Sequence, residues 1–151
     1  METARMKTLS FLDISLAILG DGFAVPDNAW SIADRVYVMP TRAWIEGAYS
    51  DALASVQEFF HTKEYAEEEN DCDDFARLAG PFAQILHHNT PGHPPATALA
   101  FGELWYKCDD GQNHVLNIAI CGGEVVTYEP QSLRIVTVSA TEKQRVNAVR
   151  F

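Results

Sequence analysis

Cysteine is scarce in this 151-residue chain, with only Cys72, Cys108 and Cys121. Small secreted scaffolds carry more cysteines, in even number. Three thiols therefore point to a reducing, cytoplasmic setting with at least one thiol free. Positive charge is scarce too: Lys and Arg number 11 against 21 Asp and Glu, a formal net charge of −10. A grip on nucleic acid or an anionic membrane needs a concentrated positive patch, so neither is expected as a partner. Long hydrophobic runs are missing. The nearest approach, Phe11 to Leu19, is interrupted by Asp13, followed by Asp21 and without a small-residue cleavage pattern. It is too short to span a bilayer and reads as a buried strand or short helix. Internal repeats and low-complexity stretches are also lacking.

What is present is ordinary globular composition, 47% hydrophobic and 21% charged. A chain of this length buries a core without disulfides or a metal. The expected organisation is a single domain over 1–151, with a variable N-terminal segment (1–40), a core (41–138) and a tail (139–151).

The periodicity changes along the chain. Arg35 to Met39 reads as a short strand stopped by Pro40. From Thr41, a candidate cap, Trp44, Ile45, Ala48, Ala52, Leu53, Val56, Phe59 and Phe60 recur at helical spacing. An acidic connector follows from Lys63 to Asn70. A second helix is expected from Asp71 or Cys72, with Cys72, Phe75, Ala76, Ala79, Ala83 and Leu86 on one face. Gly80-Pro81 should kink or split it. The last third is strand-like: Phe101 to Lys107, Val115 to Cys121, a turn at Gly122-Gly123, Val125 to Tyr128, and Leu133 to Val138. Thr141 to Phe151 reads as helical or loose. Helices followed by an antiparallel meander define the α+β class.

Three positions carry chemistry. Cys72 opens a helix, where free N–H groups and the helix dipole favour a thiolate. His114 enters the apolar run that begins at Val115. Glu129 ends the returning strand; a hairpin turning at Gly122-Gly123 pairs residues whose numbers sum to about 245, which puts Glu129 close to His114. A helix-start Cys, a strand His and an acid on the next strand form the arrangement of papain-like thiol chemistry. In it the thiol attacks a carbonyl carbon, the imidazole shuttles the proton and the acid orients the ring. The Cys72 N–H would face the oxyanion. A second donor is not evident, since upstream amides are limited to Asn70 and, further back, Gln57.

The segment Tyr65 to Ala76, YAEEENDCDDFA, with His114 before an Asn117-containing strand and Glu129 after the hairpin, resembles one family. It is that of the papain-like cysteine peptidase domain at the C-terminus of the Marasmius oreades agglutinin, with relatives in fungal lectins and in bacterial and phage proteins. The resemblance covers about 41–138. It implies a papain-like fold with N-terminal helices packed on a C-terminal antiparallel sheet, and a thiol hydrolase cutting a peptide, isopeptide or amide bond through Cys72, His114 and Glu129. It also implies a divalent ion, usually calcium, on Asp73 and Asp74. The crowding of Glu69, Asp71, Asp73 and Asp74 allows one independently. The β-trefoil of the fungal lectins is absent from these residues, so sugar binding is not carried over.

Each feature has a plainer reading. Cys72 can be a small core residue, His114 a strand-end histidine and Asn117 a backbone tie. Gln131 rivals Glu129 as the partner of the ring. Trp30 and Trp105 can line a cleft or simply pack. His87, His88 and His93 match no zinc spacing with Cys108 or Cys121. The rival to the enzyme is a non-enzymatic bacterial or phage binding or inhibitor protein that presents its acidic surface to a basic partner.

Overall fold

The computed structural model describes residues 7–62, 64 and 71–151. The acidic connector read at 63–70 lies, apart from Glu64, outside the described residues, as does the first half of the family-like string.

The first elements are strand β1 (Thr8–Leu9) and helix α1 (Phe11–Gly20). Ser10 caps α1: its hydroxyl accepts from the Asp13 N–H at 3.3 Å while the Asp13 carboxylate accepts from the Ser10 N–H at 2.7 Å. Ile14 and Ile18 are fully buried beneath the helix. Two short strands follow, β2 (Trp30–Ser31) and β3 (Tyr37–Val38).

Thr41 does cap the next helical stretch, its hydroxyl accepting from the Trp44 N–H at 3.1 Å. That stretch runs as one turn α2 (Arg42–Trp44), a π-helical turn (Ile45–Tyr49) and helix α3 (Ser50–Phe59). The π turn inserts an extra residue, so the inward face shifts in part. Tyr49 and Gln57 are buried beside the expected Ile45 and Leu53, Ala48 is exposed, Ala52 and Val56 are half-buried, and Phe59 and Phe60 are exposed.

Helix α4 (Cys72–His88) continues through Gly80-Pro81 as one helix, so the expected split does not occur. Pro81 is on the exposed side. Phe75, Ala76, Ala79 and Ala83 are buried, as the spacing suggests. His87 is buried in addition.

Strands β4 (Ala98–Leu99), β5 (Phe101–Lys107), β6 (Asn113–Cys121), β7 (Glu124–Glu129) and β8 (Arg134–Val136) follow. The β6–β7 hairpin has the expected register, Asn117 opposite Tyr128 and Cys121 opposite Glu124. Gly122 and Gly123 sit at φ 63° and 95°, as a two-residue hairpin turn requires. The tail is not loose. After helix α5 (Ala140–Lys143), strand β9 (Val146–Arg150) enters the sheet between β2 and β5. The main sheet is therefore ordered β2-β9-β5-β6-β7-β8, antiparallel except for the parallel β2–β9 pair. A smaller sheet is ordered β1-β3-β4.

The chain is α+β, with a core on each face of the main sheet. Leu104, Leu116, Ile118 and Ile120 pack with Ile14, Ile18 and Phe23 on the α1 side. Phe101, Ala119, Val126 and Tyr128 pack with Tyr49, Leu53, Ala79 and Ala83 on the other. Asn117 ties α4 to the sheet: its buried amide donates to the Ala76 and Gly102 carbonyls, each at 3.1 Å.

Candidate functional site

Two of the three expected residues, His114 and Glu129, meet at the start of β6. His114 Nε2 lies 2.8 Å from Glu129 Oε2. A carboxylate accepts, so Nε2 donates. Glu129 is held in turn by the Gln131 N–H at 3.1 Å, so Gln131 supports the acid and Glu129 meets the ring. Tyr106 packs edge-on to the imidazole at 5.7 Å.

Cys72 stands at the first turn of α4, partly exposed. Its sulfur meets backbone N–H groups, that of Val115 and its own, which places it over the strand position next to His114. Burial pushes the thiol above its ordinary pKa; Asp71 and Asp73 push it further, and the Val115 N–H opposes them. Burial, with the two acids behind it, outweighs the backbone N–H groups that favour the thiolate. Gln57 is spent elsewhere, donating from a buried position to the Pro130 carbonyl at 2.9 Å.

Beside Cys72, Asp71, Asp73 and Asp74 each offer a carboxylate oxygen within 4.8 Å of the others. The hydrogen bond between Asp71 and Asp73 lowers the pKa of the first and raises that of the second. Arg77 forms an ion pair with Asp73. Asp71 Oδ1 is buried without a partner, so one acceptor of this cluster is free for a cation.

A second site lies on the α4 side of the sheet and escapes the motif reading. Trp105 Nε1 donates to Glu103 Oε2 at 2.9 Å. The guanidinium carbons of Arg150 and Arg77 lie 4.8 and 5.4 Å from the indole centre, and Arg150 approaches Glu103 at 3.8 Å. Glu103 and Arg150 belong to an open groove of about 420 Å³ between α4 and β5, floored by Pro81, Ile85, Phe101 and Phe151. Its signal in the sequence is alternation alone: Glu103 and Trp105 share one face of β5. Arg150 comes from the strand that the sequence conceals.

The fold is thus an α+β sheet sandwiched between helices. No family model and no curated protein matches the chain. Among solved structures it resembles the Polyporus squamosus lectin bound to the human-type influenza-binding epitope Neu5Aca2-6Galb1-4GlcNAc, with 19% identity and a TM-score of 0.68. It also resembles PSL1a in complex with E64, with 18% identity and a TM-score of 0.67. Each match covers 95% of this chain but only 49% and 51% of the longer chains, so this chain spans about half their length.

These likenesses correct the family assignment. They are to a lectin, and they do not support a papain-like cysteine peptidase domain of the Marasmius oreades agglutinin kind or its bacterial and phage relatives. The thiol-hydrolase function drawn from that resemblance falls with it, as does the peptide or protein substrate. The acidic-surface inhibitor, its rival, finds no support in them either. Among the described residues no helix is long and apolar enough to cross a membrane.

Proposed function

We propose that this domain binds carbohydrate, in the groove between α4 and β5. One observation carries the reading: an apolar floor and a fixed carboxylate–guanidinium pair stand side by side in an open groove. A sugar ring offers a C–H face to the first and hydroxyl groups to the second. Apolar pockets with a few fixed polar groups are how small ligands are held and oriented. Trp105 fixes the Glu103 carboxylate from behind, so little side-chain order is lost when a ligand arrives. The lectin of similar fold binds a glycan, and this chain spans about half of it, so the groove rather than the likeness carries the reading.

The test is saturation-transfer NMR with Neu5Aca2-6Galb1-4GlcNAc and with its asialo form, on the natural chain and on Glu103→Gln. Transfer to sugar protons is expected, with affinity falling more than about tenfold in the variant, because an amide hydrogen-bonds sugar hydroxyls less strongly than a carboxylate. Absence of transfer from both sugars at millimolar concentration would sink the reading.

Calcium on Asp73 and Asp74, with Asp71 as a third ligand, belongs to this reading as a structural ion. The carboxylates fit a hard cation, and the partnerless Asp71 Oδ1 supports it. When bound, the ion would neutralise the acidic first turn of α4. The cluster of Cys72, His114 and Glu129 is read here as a polar rim near that ion. The reading also keeps 1–151 as one domain, a papain-like layout in architecture only, with α4 laid on the sheet, and a cytoplasmic setting suited to three free thiols.

A further inference from the structure

Three imidazoles meet where α4 ends. His87 and His88 close the helix, and the chain reverses through Gly92, at φ 88°, to bring His93 back to them. His87 is 3% exposed and packs edge-on to Trp44 at 5.0 Å. Its Nδ1 lies 2.9 Å from the Nδ1 of His93. The His93 ring centre is 5.1 Å from those of both His87 and His88.

The hydrogen bonds assign the tautomers. His93 Nε2 lies 3.3 Å from the Thr97 carbonyl oxygen and 3.3 Å from Thr97 Oγ1, whose own hydrogen goes to the Pro94 carbonyl at 2.7 Å. A carbonyl only accepts, so His93 Nε2 carries the hydrogen and its Nδ1 presents a lone pair to His87. A single proton, on His87 Nδ1, therefore holds the two nitrogens together. An Nε2–H bonded to a backbone carbonyl is also the outer contact that orients a metal-ligating histidine. His88 is exposed and, with His93, lines an open cavity of about 300 Å³ that reaches the cluster from solvent.

We propose that His87, His88 and His93 bind a borderline transition-metal ion of the zinc class, which replaces the proton between the two Nδ1 atoms. Imidazoles sharing one tetrahedral ion at about 2.0 Å per bond have ring centres about 5 Å apart, close to the spacing His93 already keeps from each neighbour. The His87 hydrogen moves to its Nε2, so the ligand stays neutral and no proton is lost from it. Only His87 and His93 have their ring nitrogens in place. The exposed His88, which does not stand with both of them inside a 4.8 Å cluster of ligand atoms, has to rotate inward to become the third ligand, and water from the cavity is the fourth. The spacing along the chain conceals the site because the turn through Gly92, not a Cys-rich knuckle, brings the rings together.

The experiment titrates the full chain with Zn²⁺ by calorimetry and with Co²⁺ by visible absorption. One equivalent of Co²⁺ with the strong bands of a four-coordinate site is expected, displaced by Zn²⁺. Affinity should fall more than about tenfold in His93→Ala and in His88→Ala, and should hold in Asp73→Asn, which lies in the acidic cluster. His88 is exposed, so His88→Ala keeps the test sound if a buried variant misfolds. No saturable binding, binding indifferent to both histidine variants, or binding lost only in Asp73→Asn would each overturn the site.

Discussion

Gly102 lies directly beneath the Arg150 carbonyl: a Cβ built on it would stand 2.0 Å from that oxygen and 3.0 Å from the Phe151 ring. The contact is made where β9 pairs with β5, with Glu103 opposite Arg150. Backbone cannot yield there as a flexible side chain would. Gly102→Ala should therefore push β9 away and cost about 3 kcal/mol. Urea denaturation followed by fluorescence reads this as a lower midpoint at similar slope. An unchanged midpoint would mean that β9 does not sit against β5 as described.

Asn117 makes the polar link between α4 and the sheet, and it is fully buried. Truncation removes two hydrogen bonds from a dry interface and leaves the Gly102 and Ala76 carbonyls to find other donors. Asn117→Ala should cost about 2 kcal/mol. Amide exchange should show the loss as faster opening of α4 than of the β6–β7 hairpin. Equal acceleration in both would mean that Asn117 serves the sheet rather than the joint.

Local features were legible in the sequence and remote ones were not. The β6–β7 register follows from two glycines and alternating residues, and the buried face of α4 follows from spacing, because both are set within one short stretch. The face of α3 is shifted in part, with Gln57 inward beside the expected Leu53, because the preceding turn is π-helical, which no pattern of apolar positions announces. Strand β9 was missed for another reason. Its residues, VNAVR, alternate only weakly, and its place in the sheet comes from pairing with strands far away in sequence. The same distance concealed the candidate sites. Glu103 and Trp105 were readable as one strand face, but Arg150 reaches them only through β9. His87, His88 and His93 are neighbours in sequence but match no zinc spacing, and the turn through Gly92 that brings two of their rings together is not announced by the pattern.

Glu142 closes a capping box at α5: its carboxylate accepts from the Ser139 N–H at 3.0 Å and the Asp109 N–H at 3.2 Å. These bonds, that from Ser139 foremost, hold its pKa below the ordinary value of 4.5. A group with a depressed folded pKa contributes stability above its unfolded value and loses it as pH falls through the folded one. Glu142→Gln should thus destabilise the chain by about 1 kcal/mol at pH 7. The gap between natural and variant chains should close as the pH drops below about 4. Denaturation midpoints measured from pH 7 to pH 3 check this; a constant gap would show that charge has no part in the cap.

The three thiols should react in an order set by burial and nearby acids. Burial, ahead of the surrounding charges, pushes Cys121 up to about 11 and raises Cys72 and Cys108 as well. The thiolate is the reacting form, so alkylation by iodoacetamide at pH 7 should be slower at all three than at a free cysteine. It should be slowest at Cys121, which is also the most enclosed, and every rate should climb as pH rises toward 9. Peptide mapping by mass spectrometry resolves the three sites. Calcium supplies a second arm. An ion on Asp71, Asp73 and Asp74 would cancel part of the negative charge that raises Cys72, so Cys72 alone should speed up when it is added. Rapid labelling of Cys72 at pH 6, independent of pH, would mean that the sulfur is a stabilised thiolate and that the charges around it have been misjudged.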